Sequence, residues 1–275
     1  MTPEPALTYV YAVAAATPEL DGLLPGLRGV AGAEVALLAP EGTAPGAPAF
    51  VVSRVAGPDW GEEALRSRFE ELTWLERTAR AHHHVIQELL GRTTVLPLRM
   101  ATLYQDDERA LGALREQYDA FAEGLALLAH HSEYGVKVYI RPDAGPPDPG
   151  GTPAAGEEEP VSPGKAYLRA RKAQHRAHED RGRQAGRAAE RIAATAGRYA
   201  THVVRHPAQT GPLAGGDTGE NVLNDAYLVP DGEADAFRAA VRHAADGLPG
   251  VRVELTGPWA PYSFAVPQPR RGTPS

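Results

Sequence analysis

The sequence predicts an α+β protein of two domains, and three observations carry the prediction. Residues 7–140 alternate short apolar, β-branched or aromatic runs with two amphipathic helical stretches, in the order β, β, β, α, β, α, β. Residues 142–160 hold ten Pro or Gly among 19 positions, a composition that buries too little apolar area to offset ordering. Beyond them comes a long basic helical run, then more short strands. The expected domains are a ferredoxin-like antiparallel sheet with helices on one face and an extra hairpin (1–141), a Pro/Gly/Glu linker (142–161), a smaller α+β domain with a long helix (162–267) and a disordered tail (268–275).

Taken in order, residues 7–14 alternate Tyr9, Tyr11 and Val13 with smaller residues and predict a strand. Residues 18–29 read as a turn-rich connection with room for a short helix. Residues 34–39 and 48–55 predict a hairpin with a Gly/Pro tip. Leu65, Phe69, Leu72, Leu75, Ala79, Ile86 and Leu89 recur at steps of three, four or seven and trace one helical face. Asp59 and Glu62 have capping-box spacing at the start of this helix, and Gly91 is placed to stop it. An unbroken helix over 60–90 would be about 46 Å long, so a break near Thr73 is expected. The β-branched run at Thr93 and Thr94 continues into Val95 and Leu96, a strand. Pro97 lacks an N–H, so that strand is expected at an edge or at a bulge. A second helix over 106–130 places Leu111, Leu114, Tyr118, Phe121, Leu125 and Leu128 on one face, and 134–140 is a closing strand for the first domain.

Between residues 165 and 198 there are ten Lys or Arg and three acids, so this run is +7 while the chain as a whole is −7. Ala166, Ala170, Ala173, Ala177, Ala185, Ala189, Ile192 and Ala196 make a narrow stripe of small residues at helical spacing. Strands follow at 199–205, 221–229 and 250–256, with a helix over 231–246 whose inward residues are Ala234, Phe237, Val241 and Ala244.

Several classes of function are excluded or disfavoured. The chain has no cysteine, which removes disulfides and Cys-ligated metal sites. The N-terminus lacks the pattern of a signal peptide, and no stretch approaches 18 apolar residues, so no membrane-spanning helix is expected. Three successive histidines, His82, His83 and His84, point about 100° apart on a helix and do not converge on one ion. His82 falls on the apolar stripe and reads as a hydrogen-bonded core histidine. Glu76, Glu88 and Glu133 have no partner at a spacing suited to acid–base catalysis, and no glycine pattern fits a phosphate loop. No enzyme activity and no cofactor are expected. The basic helix raises a nucleic-acid-binding regulator as the alternative reading, against which stand the missing aromatics and the acidic remainder of the chain.

Five segments in order, WLERTARAH (74–82), VLPLRMAT (95–102), EYGVKV (133–138), NDAYLV (ending at Val229) and LTGPWAPYSF (255–264), resemble the GvpL/GvpF family of gas vesicle proteins. Two departures stand out. The family tends to Phe-Gly where this chain has Met100 and Ala101, and to Trp where it has Tyr134. Ala101 is expected to avoid the positive φ that Gly allows. The resemblance implies a cytoplasmic, gas-vesicle-associated protein of vesicle biogenesis, chaperone-like or a minor structural component. Its implied partners are the shell protein GvpA and other accessory vesicle proteins, with self-association through the Ala-striped helix a further option. Strand addition at the Pro97 strand, or contact through the C-terminal aromatics, makes Leu96, Pro97, Arg99, Trp259, Tyr262 and Phe264 the candidate interface residues.

Overall fold

The structure is a computed structural model that describes residues 6–141, 163–208, 219–248 and 250–265. The expected linker and tail lie outside these residues. The described chain divides into two units, one running to Glu133 and resuming at Pro258, the other running from Tyr134 to Gly257.

The first unit opens with β1 (Ala6–Ala15), a short helix α1 (Pro18–Leu23), and the hairpin β2 (Ala36–Leu38) and β3 (Pro48–Ala56). Three helical pieces follow, α2 (Gly57–Trp60), α3 (Glu62–Arg68) and α4 (Leu72–Leu89), and then β4 (Val95–Tyr104). Two more helices, α5 (Asp107–Glu116) and α6 (Tyr118–Leu128), complete it. The sheet order is β2-β3-β1-β4, with the β1–β3, β1–β4 and β2–β3 pairs antiparallel. A β-α-β-β-α-β chain with this order is the ferredoxin-like arrangement. The hairpin is therefore one of its four strands rather than an addition.

Helices cover both faces of this sheet, not one. Val51 packs in the same core as Val85, Ile86 and Leu89 of α4. The adjacent Phe50 points the other way, its ring 5.7 Å from that of Phe121 in α6. The continuous burial of β3 from Pro48 to Ser53 follows from having a layer on each side.

The expected break in the first long helix is present, between Arg68 and Leu72. It resets the helical phase, so positions counted across it do not share a face. The buried row of α4 is Trp74, Thr78, His82, Val85, Ile86 and Leu89, while Leu72 and Ala79 are exposed. Asp59 and Glu62 form no capping box; they pair with Arg68 at 2.6 Å and Arg66 at 2.7 Å. Gly91, at φ 82°, follows the end of α4 as expected. The second long helix is broken too, at Gln117 (φ −110°, ψ 16°), which leaves Tyr118 exposed.

The second unit contains β5 (His131–Ile140), α7 (Pro163–Ala196), β6 (His202–Arg205), β7 (Glu220–Pro230), α8 (Ala234–Ala245) and β8 (Val251–Trp259). Its sheet order is β6-β7-β5-β8. The strand expected to close the first domain is thus an inner strand of the second sheet. Asn221 helps hold it there, donating to Val138 O at 3.2 Å. Arg141 N–H donates to Gly250 O at 2.9 Å and Gly135 lies against Thr256, so β5 and β8 run in opposite directions. With β5 included, the second unit repeats the β-α-β-β-α-β order of the first, and the same strand order with it. Its core joins Tyr134, Val136 and Val138 to Tyr227, Val229, Phe237 and Val241, under Ala185, Ala188, Ala189, Ile192 and Ala196 of α7.

Candidate docking groove on the first sheet

The outermost strand β4 is irregular at its centre. Ala12 pairs with Pro97 and Val10 with Thr102, so residues 98–101 stand opposite Tyr11 alone. Three more residues on β4 than on β1 must bulge outward. Pro97 thus sits both on an edge strand and at the start of a bulge, in keeping with its missing N–H. On the other side of β1, Tyr11 is itself the extra residue against β3.

Two buried side chains hold the bulge at both ends. The Leu98 carbonyl lies 3.2 Å from His82 Nε2, and since a carbonyl only accepts, that nitrogen carries the ring proton. Nδ1 then accepts from the Tyr9 hydroxyl at 2.8 Å. The same hydroxyl oxygen accepts from Ala101 N–H at 3.1 Å. His82 is therefore the hydrogen-bonded core histidine the sequence suggested, 4% exposed. Burial pushes its pKa down to about 4, against the Leu98 hydrogen bond, and the charge of His83 adds to the lowering. Burial likewise pushes the Tyr9 phenol up. The pair stays neutral at pH 7, as a closed low-dielectric site requires.

Ala101 departs from expectation: its φ is 62°. An L-residue there costs about 1–2 kcal/mol. The hydrogen bond to Tyr9 and the ladder pair at Thr102 hold it in place.

The bulge and the following residues form one wall of a groove of about 670 Å³. Helix α3 forms the other wall. Leu65, Phe69, Met100 and Leu103 supply apolar surface, and Arg99 and the Glu62–Arg66 pair supply charge. Phe69 is 44% exposed, and Leu72, three residues on, is 77% exposed. Arg99 is exposed and pairs with no carboxylate among the described residues.

Of the residues expected at an interface, Leu96 and Pro97 are buried in the sheet and Arg99 alone reaches the groove. Trp259, Tyr262 and Phe264 lie on the segment that returns to the first unit, where the turn Tyr262–Phe264 packs beside β4. Trp259 and Tyr262 have rings 6.2 and 6.5 Å from that of His83. Glu133 is buried and accepts from Ser263 N–H at 2.9 Å and its hydroxyl at 2.7 Å. It anchors the returning segment. Phe69, Met100 and Leu103 escaped the sequence reading. Phe69 lies on the helical stripe by spacing, but the break between α3 and α4 interrupts that stripe at this residue. The other two become groove walls only because β4 bulges.

The comparisons with known proteins agree with one another. The family model described as "Gas vesicle synthesis protein GvpL/GvpF" matches residues 7–266. The chain is 40% identical to gas vesicle protein L of Streptomyces sp. (strain CB03234) over 265 residues, covering 94% of this chain and 92% of that protein. It is 27% identical to gas vesicle protein F of the same strain over 209 residues, 71% of this chain and 80% of that one. The fold is similar to the crystal structure of GvpF from Anabaena sp. PCC7120, with a TM-score of 0.61, 18% identity and coverage of 98% of this chain and 99% of that one. It is also similar to GvpF from Microcystis aeruginosa, with a TM-score of 0.59, 18% identity and coverage of 95% and 99%. On the family match across the chain and the 40% identity to a gas vesicle protein L, this chain belongs to the GvpL/GvpF family of gas vesicle synthesis proteins.

Proposed function

We propose that this protein is a non-enzymatic assembly factor of gas vesicle biogenesis, acting in the cytoplasm, that binds the hydrophobic shell protein GvpA through the groove of its first unit. Family membership supports the vesicle role. The observation that carries the mechanism is the half-exposed apolar surface of Phe69 and Met100 beside Arg99, which pairs with no carboxylate among the described residues. A subunit that must polymerise exposes apolar surface before it finds its neighbours. A groove that takes one apolar segment, with Arg99 meeting a carboxylate at its rim, masks that surface and releases it later. Other accessory vesicle proteins are partners in the same process.

The test is a fluorescence titration of shell subunit held in solution against this protein. The expected Kd is micromolar, about −8 kcal/mol. Phe69→Ala is expected to weaken binding about tenfold, the value of roughly half a phenyl ring's burial. Arg99→Glu is expected to weaken it by a similar factor. Absence of binding at 100-fold higher concentration, on the order of 0.1 mM, removes the mechanism.

A further inference from the structure

The basic helix is left unused by the groove. In α7, Arg169, Lys172, Arg176, Arg183 and Arg187 follow at steps of three, four, seven and four, which places them on one face. All five are exposed, over about 27 Å of helix. Every described side chain from 169 to 179 is exposed, and among the described side chains of α7 the first buried one is Ala185. Arg169, Lys172, Arg176 and Arg187 pair with no carboxylate among the described residues. Like charges one turn apart repel, by a few tenths of a kcal/mol per pair. Such a stripe is complementary to an anionic surface.

The chain itself carries that surface. With +7 on residues 165–198 and −7 overall, the remainder is −14. At the α5–α6 break, Glu116, Asp119 and Glu123 are exposed and pair with no cation among the described residues. Asp119 and Glu123 sit one turn apart on α6, and Glu116 closes α5 just before the break. Beside them Tyr118 is 42% and Leu127 36% exposed, apolar anchors within a charged rim.

We infer that the basic face of α7 in one copy docks on the acidic patch of Glu116, Asp119 and Glu123, at the α5–α6 break, of a second copy. The two surfaces differ, so the contact is head-to-tail and builds short chains or a closed ring. A nucleic acid is the poorer occupant, because the stripe carries no interleaved aromatics and the chain is −7.

Sedimentation of the whole protein at 50 and 500 mM NaCl tests this. Mass is expected to rise with concentration at low salt and to fall to the monomer at high salt, where the Debye length shrinks below about 5 Å. A triple variant, Arg169→Glu, Lys172→Glu and Arg176→Glu, is expected to be monomeric at both. So is Glu116→Lys, Asp119→Lys and Glu123→Lys. Mixed, the two restore assembly, since each supplies the face that the other lacks. A monomeric wild type at 50 mM salt, or no gain on mixing, overturns the inference. So does low-salt mass that disappears on nuclease treatment. Should a reversed variant lose its fold by circular dichroism, the salt response of the wild type decides.

Discussion

In the first unit, the strand at the centre of the sheet carries Tyr9 and Tyr11, and both phenols are tied into buried hydrogen bonds. Tyr9 holds the β4 bulge with His82, while Tyr11 accepts from Val30 N–H at 2.9 Å and donates to Ser53 at 2.9 Å. In the second unit, the helix over the corresponding face meets the sheet through Ala185, Ala188, Ala189, Ile192 and Ala196. Small side chains let that helix approach closely and ask for no hydrogen bonds. The connectivity and strand order are the same in both. One unit uses buried polar groups to hold an irregular strand and so shapes a groove. The other keeps its buried polar groups, Asn221 and Asp225, on β7, and its 34-residue helix, about 51 Å long, outruns ten-residue strands of about 33 Å. Connectivity sets the frame, and the interior side chains decide where surface is left for a partner.

The largest expected effect comes from breaking the polar interior. Tyr9→Phe leaves His82 Nδ1 and Ala101 N–H unpaired and should cost about 3 kcal/mol of stability, read by urea denaturation. In the second unit Tyr227→Phe loses only a 3.4 Å contact to Asp225 and should cost under about 1 kcal/mol. Equal losses would erase the contrast.

Acid should act on the first unit by a related route. The folded state holds His82 near pKa 4 while the unfolded chain takes up its proton near 6.5, so stability is full above 6.5 and falls as pH drops toward 4. At pH 5 the loss from this group is about 2 kcal/mol. A His82→Asn variant should show a correspondingly flatter stability profile between pH 7 and 5. A parallel profile would mean that His82 is not the group responsible.

The same substitution should have opposite signs in the two units. A Cβ on Gly29 would lie 1.9 Å from the Tyr11 hydroxyl, whereas one on Gly182 meets nothing within 4 Å. Gly29→Ala is expected to destabilise by about 2 kcal/mol, and Gly182→Ala to stabilise by about 1 kcal/mol. Thermal melts of both variants measure this. The smallest effect is Ala101→Gly, which relieves the positive φ at some entropic cost and should gain up to about 1 kcal/mol. A loss of stability there would show that the Ala methyl contributes more by packing than its φ costs.

Much of this was legible in the residues. The strands and the main helices, the break before α4, the edge character at Pro97 and the core role of His82 follow from local spacing and from what Pro and His can do. The bulge geometry was not legible, because it depends on a tyrosine 92 residues away from Ala101. Nor was the membership of β5. A strand's sequence records that it pairs, and its partners here lie in β7 and β8, beyond a whole helix. Once β5 was read into the first domain, the second lost its first strand and its kinship with the first unit was hidden. Ala101 failed the other way: its local preference was sound, and the tertiary hydrogen bond overrode it.

By itself, then, the sequence determined the periodic elements, the cysteine-free chemistry, the charge asymmetry and, through five ordered segments, the family. These are properties of single residues or of neighbours within a few turns. Tertiary structure alone decided which sheet each strand joined, which face of α4 was inward, and that Phe69, Met100 and Arg99 share one groove. Those outcomes rest on contacts between residues far apart in the chain, whose geometry only the folded backbone supplies.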